Sequence, residues 1–275
     1  MKQLRAIRIM LAALFLVASA ACLVIGPQIH PMARAAGRLQ ILLSAASVTS
    51  GVTVVWLLIT FLLGRVYCAT ACPIGTYSDL FLRLRRRIPR LDRPFSYRPR
   101  PKLSYHLLWI YLLCVVAGIM AVPFVVEPWN IARNMAAAVN RGAIAPTWAT
   151  ISLGAATGVV AGVLSAILLA VIAIRRGREF CSCWCPLGTA LGIVQEHALA
   201  HIEIDPDKCI SCGHCEDICR AQCVKTVSRY VDASRCVRCF DCVAECPAGA
   251  IRFQINRNRR PATPLLRKTR QSSKT

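Results

Sequence analysis

Four long stretches of the sequence carry no charged side chain, and they predict four membrane-spanning helices. The stretches lie between Arg8 and Arg34, from Leu39 to Gly64, from Leu103 to Val126 and from Gly142 to Ile174. Each supplies the ~20 apolar residues that a helix needs to cross a bilayer. We therefore expect spans near residues 7–27, 48–66, 104–123 and 151–174. Residues 37–47 and 128–140, between spans, are apolar enough for short interfacial or re-entrant helices.

Basic residues gather on one side of these predicted spans. Nine lie between the second and third spans and three follow the fourth, whereas each of the two opposite loops carries two. Arg and Lys are biased toward cytoplasmic loops, so we predict a protein of the bacterial inner membrane with its N- and C-termini on the cytoplasmic side. This bias also accounts for the net charge of +21, from 34 basic and 13 acidic residues, so we predict no nucleic-acid partner.

The first span also has features of a cleavable signal peptide. Lys2, Arg5 and Arg8 precede the apolar run, and Ala18-Ser19-Ala20 resembles a cleavage site. Cleavage would leave three spans and would place the C-terminal segment outside the cell. The distribution of basic residues instead favours an uncleaved, four-span protein.

The second and fourth spans each end in the same cysteine motif. Residues 67–76 read YCATACPIGT and residues 180–189 read FCSCWCPLGT, so in both an aromatic residue precedes CxxxCPxGT. The offset is constant, because 181 − 68 and 185 − 72 both equal 113. Since each half contributes two spans, we predict a parallel repeat about a pseudo-twofold axis along the membrane normal. Both motifs are then expected near the cytoplasmic membrane face, where they can converge.

The motif cysteines are candidate metal ligands. They are Cys68, Cys72, Cys181 and Cys185. A spacing of four residues on a helix places two thiols on one face, and two such pairs suit an iron–sulfur cluster or a single metal ion. Redox-active dithiols are an alternative, because the cytoplasm keeps free thiols reduced. The sequence leaves this choice open.

The segment after the fourth span contains two runs of the pattern CxxCxxCxxxC. This is the spacing of bacterial two-cluster ferredoxins, in which the fourth cysteine of each run ligates the cluster of the other run. A zinc ribbon does not need this run of eight cysteines. The first [4Fe–4S] cluster is therefore assigned to Cys209, Cys212, Cys215 and Cys246, and the second to Cys236, Cys239, Cys242 and Cys219.

These features divide the chain into three regions. Residues 1–200 are expected to form an all-α membrane domain, residues 201–256 a small α+β ferredoxin domain, and residues 257–275 a basic disordered tail. Strands are expected near Ile202–Ile204 and Ala250–Gln254. A domain of about 55 residues buries little apolar surface, so bound clusters must supply much of its folding free energy.

Four cysteines lie outside these patterns, and two of them, Cys22 and Cys114, are expected to be packing residues within the predicted spans. Cys183 lies inside the second CxxxCP motif and has no counterpart in the first. Cys223 follows the first ferredoxin run, where Arg220 replaces the usual proline after the fourth cysteine. We interpret Cys223 as a buried residue in preference to an alternative cluster ligand.

With these motifs, the chain resembles the NapH/MauN family of membrane-bound ferredoxin-type proteins over roughly residues 5–255. The resemblance rests on the spans, the CxxxCP motifs and the ferredoxin cysteines in combination. It implies a protein that passes quinol electrons through its clusters toward a partner redox protein. Because Arg220, Cys183 and Cys223 depart from the pattern, we infer no specific acceptor such as nitrate.

The sequence thus predicts an electron-transfer protein, at most a quinol dehydrogenase-type subunit. Electrons would pass through two [4Fe–4S] clusters between the quinone pool, or a membrane partner, and a ferredoxin-type or cytochrome-type redox subunit. Clusters of ordinary low potential make quinol oxidation uphill, so flow toward the membrane is energetically easier. The alternatives are a maturation factor that handles copper or iron with the CxxxCP thiols, and a simple membrane anchor for a ferredoxin.

Overall fold

The computed structural model describes residues 2–25, 50–119, 127–144 and 153–255. The helices are α1 (Lys2–Ile25), α2 (Ser50–Leu63), α3 (Val66–Thr70), α4 (Pro73–Arg87), α5 (Leu103–Val116), α6 (Pro128–Ile144), α7 (Leu153–Arg176), a π-helical turn (Phe180–Trp184), α8 (Pro186–Glu196), α9 (His214–Asp217) and α10 (Asp241–Glu245). The strands are β1 (Ala200–Ile204), β2 (Val224–Lys225), β3 (Tyr230–Val231) and β4 (Ile251–Ile255). The predicted tail 257–275 and the predicted helix 37–47 lie outside the described residues.

Apolar helices lie over each of the predicted spans, at α1, α2, α5 and α7. By length and hydropathy, one described helix, over residues 3–21, is able to cross a membrane, and residues 51–63 and 103–116 form shorter apolar helices. Large apolar side chains point outward, among them Met10, Leu58, Trp109 and Leu168. Such surfaces favour lipid over water. The number of spans and their orientation stay predictions.

Helix packing in the two halves of the repeat is reciprocal. Helix α2 of the first half packs on α8 of the second, and α7 of the second half packs on α4 of the first. Helix α1 contacts α3 and α4, while α5 contacts the π-helical turn and α8. This reciprocal packing of each half's apolar helix on the helix after the other half's motif is what a pseudo-twofold axis would produce. It places residues of both CxxxCP motifs in one buried cluster.

Each CxxxC pair straddles a helix boundary, so the expectation that both thiols lie on one helix is wrong. Cys68 lies in α3, which ends at Thr70, and Cys72 is the N-cap of α4. Cys181 lies in the π-helical turn, and Cys185 is the N-cap of α8. The proline after each second cysteine causes the break, because proline suits the first helical position and favours an extended residue before it. The two N-caps accordingly share their conformation, with φ/ψ of −73°/121° and −76°/120°.

The C-terminal domain contains two small antiparallel sheets around a buried core. β1 pairs with β4 in a register that places Ile202 opposite Phe253, and β2 pairs with β3. β1 and β4 lie where the sequence predicts strands, whereas the β2–β3 hairpin has no such signal. Cysteines make up much of this core, which suits a domain whose stability depends on bound clusters.

Candidate metal centres

Two cavities in the C-terminal domain are each lined by one set of cysteines. The first is lined by Cys209, Cys212, Cys215 and Cys246. The second is lined by Cys219, Cys236, Cys239 and Cys242, together with Cys223. The cavities thus bring together the same two sets that the ferredoxin spacing predicts. In the described ranges, no group of three or more His, Cys, Asp or Glu side chains has the geometry of a site for a single metal ion.

The loops that carry the two cysteine runs share an unusual backbone. Ser211 and Arg238 have φ of 57° and 54°, and Gly213 and Phe240 have φ of 81° and 59°. Ser211 and Arg238 occupy equivalent positions in the two runs, as do Gly213 and Phe240, because 238 − 211 and 240 − 213 both equal 27. Residues other than glycine seldom adopt this left-handed region, and such strain tends to persist at functional sites. The two runs therefore turn around their cavities in the same way.

Cys223 lies between two thiols of the second cavity. Its Sγ is 3.5 Å from Sγ of Cys219, and its side chain also hydrogen-bonds that of Cys236. These hydrogen bonds lower the pKa of Cys219 and bring that of Cys236 to about 6, while the pKa of Cys223 is raised. These hydrogen bonds therefore favour the thiolate forms of Cys219 and Cys236 and the thiol form of Cys223.

The motif thiols converge in the core shared by the two halves. Cys68, Cys72 and Cys181 belong to one buried cluster, and Cys185 is close enough for its charge to interact with theirs. Burial raises the pKa of all four thiols, that of Cys181 to about 11. A bound metal would deprotonate them at neutral pH, because metal coordination favours the thiolate.

The glycine of each motif has no room for a side chain. A Cβ on Gly75 would lie 2.2 Å from the carbonyl oxygen of Cys68, and a Cβ on Gly188 would lie 2.0 Å from that of Cys181. Glycine therefore lets the first turn of α4 or α8 press against the backbone of the first cysteine of its motif. The contact is the same in both halves of the repeat.

A buried arginine precedes each motif and reaches into the opposite half. Arg65 donates from Nη1 to the Gly188 carbonyl at 2.5 Å, and Arg178 donates from Nη2 to the Gly75 carbonyl at 3.0 Å. Arg178 also donates to the Cys68 carbonyl at 2.9 Å. The arginines are equivalent, since 178 − 65 = 113, and a Gly-Arg pair lies just before each motif. Extending the alignment of the two CxxxCP motifs by a few residues toward the N-terminus would have revealed this repeated Gly-Arg pair in the sequence.

Comparisons with known proteins match the same segments. A family model described as a 4Fe-4S binding domain matches residues 48–91 and 158–201, once in each half of the repeat. A second model with that description matches residues 230–251, in the C-terminal domain. Both halves and the ferredoxin segment are therefore similar to iron–sulfur proteins.

Named relatives include ferredoxin-type proteins. The chain is 25% identical over 212 residues to the ferredoxin-type protein NapH of Haemophilus influenzae, covering 74% of this chain and 67% of that protein. It is 30% identical over 178 residues to the methylamine utilization ferredoxin-type protein MauN of Paracoccus denitrificans, covering 64% of this chain and 55% of that protein. These relatives and the matched 4Fe-4S models support a NapH/MauN-like family of ferredoxin-type proteins. An uncharacterized protein of Methanocaldococcus jannaschii is 24% identical over 202 residues, covering 73% of this chain and 68% of that protein. No solved structure shows a significant match.

In this NapH/MauN-like protein, Asp79 of α4 is the centre of a buried ion-pair network. Its carboxylate lies 2.7 Å from Arg8, 2.8 Å from Arg178 and 3.1 Å from Arg220. Arg220 also pairs with Asp241 at 2.7 Å. Burial alone would raise the pKa of Asp79, but the three arginine charges outweigh burial and hold that pKa well below its usual value. The network joins α1, both halves of the repeat and the C-terminal domain.

The interior of the NapH/MauN-like protein holds more arginines than carboxylates. Seven arginines are buried in the described part of the chain, against three carboxylates. The arginines are Arg8, Arg65, Arg85, Arg178, Arg220, Arg235 and Arg238, and the acids are Asp79, Glu179 and Asp241. Burying a charge without compensation is costly. Iron–sulfur clusters held by thiolates are anionic and would offset this excess.

Proposed function

We propose that the protein is a membrane-bound iron–sulfur electron carrier. It relays electrons between the quinone pool, or a membrane partner, and a redox partner through two [4Fe–4S] clusters in its C-terminal domain. The observation that carries the proposal is the pair of cavities, each lined by the four cysteines that the two-cluster spacing assigns to one cluster, with Cys223 also lining the second. The outward apolar faces of α1, α2, α5 and α7 support a place in the membrane.

The CxxxCP thiols are proposed to hold a third iron–sulfur cluster. The four thiols are buried and converge between the two halves. Arg65 has no exposed surface and makes no ion pair among the described residues, and its Nε and Nη2 find no hydrogen-bond acceptor there. An anionic cluster between the motifs would compensate this charge. Cys68, Cys72, Cys181 and Cys185 would be its ligands, and cluster binding would supply a redox centre near the membrane face.

Exposure suggests the order of the relay. The cysteines of the second cavity are buried, whereas Cys212 of the first cavity is exposed. Gln195 of α8 connects the second cavity to the motif core, because its Nε2 donates to the Cys236 carbonyl at 2.8 Å and its Oε1 accepts from the Arg65 backbone N–H at 2.6 Å. Electrons would therefore move between the motif cluster and the second cluster, and a partner would meet the first cluster near Cys212.

Counting the clusters tests this proposal. Protein purified anaerobically in detergent is analysed for iron and acid-labile sulfide, and its reduced clusters are examined by electron paramagnetic resonance. Three cubane clusters predict about twelve iron atoms per chain, and replacing the four CxxxCP cysteines with alanine predicts about eight. An unchanged iron content in that variant would contradict the third cluster. Wild-type protein that binds a single copper or iron ion in place of clusters would contradict the relay and favour a maturation factor.

A further inference from the structure

Cys223 is a fifth thiol at the second cavity, and the two-cluster spacing does not require it. The residue is 2% exposed. Its Sγ lies 3.5 Å from Sγ of Cys219, and its side chain also hydrogen-bonds that of Cys236. One thiol therefore contacts two of the sulfur atoms assigned to a single cluster.

The hydrogen bonds around Cys219 distinguish its role from that of Cys223. The Cys219 sulfur accepts the backbone N–H of Cys223 at 3.4 Å, in addition to the contact with the Cys223 thiol. A sulfur surrounded by donors is suited to carry the negative charge of an iron ligand. Cys223, which contacts both Cys219 and Cys236, is suited to donate.

We propose that Cys223 is a positioning residue whose S–H group donates to the ligand sulfurs of the second cluster and thereby raises the reduction potential of that cluster. This inference rests on the proposed function, because it assumes that Cys219 and Cys236 bind the second cluster. Hydrogen bonds to ligand sulfurs are among the features that set the potential of an iron–sulfur cluster. They stabilise the reduced state, since reduction adds negative charge to the cluster and its sulfurs.

The position of the second cluster gives this effect a consequence for electron flow. That cluster lies beside the motif core, to which Gln195 connects it. A higher potential there makes transfer from a quinol less uphill, and it makes transfer onward to the first cluster less favourable. Cys223 therefore adjusts the energy of the central step of the proposed relay.

An anaerobic redox titration followed by electron paramagnetic resonance tests the role of Cys223. In C223A we expect the midpoint potential of the second cluster to fall by ~59 mV, the equivalent of a tenfold change in a one-electron equilibrium constant. The potential of the first cluster should not change. In C223S the hydroxyl keeps a donor, so the potential should stay closer to that of the wild type. C114A removes a thiol from α5 and is the matched control.

Each outcome of the titration has a distinct meaning. An unchanged potential in C223A, with both clusters present, would overturn this inference alone. Retention of the second cluster in C219A together with its loss in C223A would show that Cys223 is itself the ligand, which also overturns the inference. Absence of a second cluster from the wild-type protein would overturn the proposed function as well.

Discussion

Asp79 and Arg178 join the two halves of the repeat through a buried hydrogen bond of 2.8 Å between Oδ1 and Nε. The position equivalent to Asp79 in the second half is Gly192, since 79 + 113 = 192. The symmetric motif core is therefore held together by an asymmetric pair. Because Arg8 and Arg220 contact the same carboxylate, one side chain links the N-terminal helix, both halves and the C-terminal domain.

Replacing Asp79 with asparagine should destabilise the protein strongly. The variant leaves Arg8 and Arg178 buried without a carboxylate partner, while Arg220 keeps only Asp241. Breaking a buried ion pair in this way costs roughly 3–5 kcal/mol. Thermal unfolding in detergent, followed by tryptophan fluorescence, measures the change. D207N alters an exposed carboxylate and is the control. Equal stabilities of D79N and D207N would contradict the role given to the network.

The contribution of Asp79 should depend on pH in the acid range. Its pKa lies well below the ordinary value in the folded protein, whereas the unfolded chain has a pKa of about 3.9. The stabilisation is therefore fully present above the unfolded pKa and is lost as the pH falls toward the folded pKa. The difference in unfolding free energy between wild type and D79N should shrink below about pH 4. A difference that stays constant as the pH is lowered would argue against this explanation.

The motif glycines should not tolerate alanine. In G75A or G188A the new Cβ would overlap a cysteine carbonyl oxygen, and overpacking of this kind costs roughly 1–3 kcal/mol or more. We expect both variants to lose stability and the iron bound by the CxxxCP thiols. G51A is the matched control, because a Cβ at Gly51 meets no atom within 4 Å. If G75A and G188A behave like G51A in metal content and unfolding temperature, the close contact is not required.

Lysine should not replace Arg65 or Arg178, the two arginines that each donate to a carbonyl in the opposite half of the repeat. Arg178 donates to two carbonyls and a carboxylate at once, a geometry that needs the planar guanidinium. We expect R65K and R178K to lose the CxxxCP-bound iron while the C-terminal clusters keep their paramagnetic signals. R83K, at an exposed arginine, is the control. Loss of all clusters to the same extent would instead indicate general unfolding.

The fourth cysteine of each run should serve the other run's cluster. We predict that C246A removes the cluster held by Cys209, Cys212 and Cys215, and that C219A removes the cluster held by Cys236, Cys239 and Cys242. Each variant should retain the remaining signal in paramagnetic resonance spectra. The opposite pattern, in which C246A removes the cluster of its own run, would contradict the assignment.

Regular sequence patterns predict much of this architecture. The 113-residue offset between the CxxxCP motifs indicates their convergence, and the ferredoxin spacing indicates which cysteines share a cavity. The helical placement of each CxxxC pair is wrong because proline starts a new helix after Cys72 and Cys185. Asp79 and Gln195 escape prediction because each occurs in only one half and pairs with residues distant in sequence. Local patterns carry no information about such partners.

Electron exchange with quinone is the measurement that tests the central claim most directly. The protein is kept anaerobic in lipid nanodiscs, a reduced quinol is added, and cluster bleaching and paramagnetic signals are followed in time. A parallel sample, first reduced with dithionite, receives the oxidised quinone. We predict rapid electron exchange in at least one direction, with loss of that exchange when the CxxxCP cysteines are replaced. Failure of both quinol and quinone to exchange electrons with intact clusters would contradict the proposed relay.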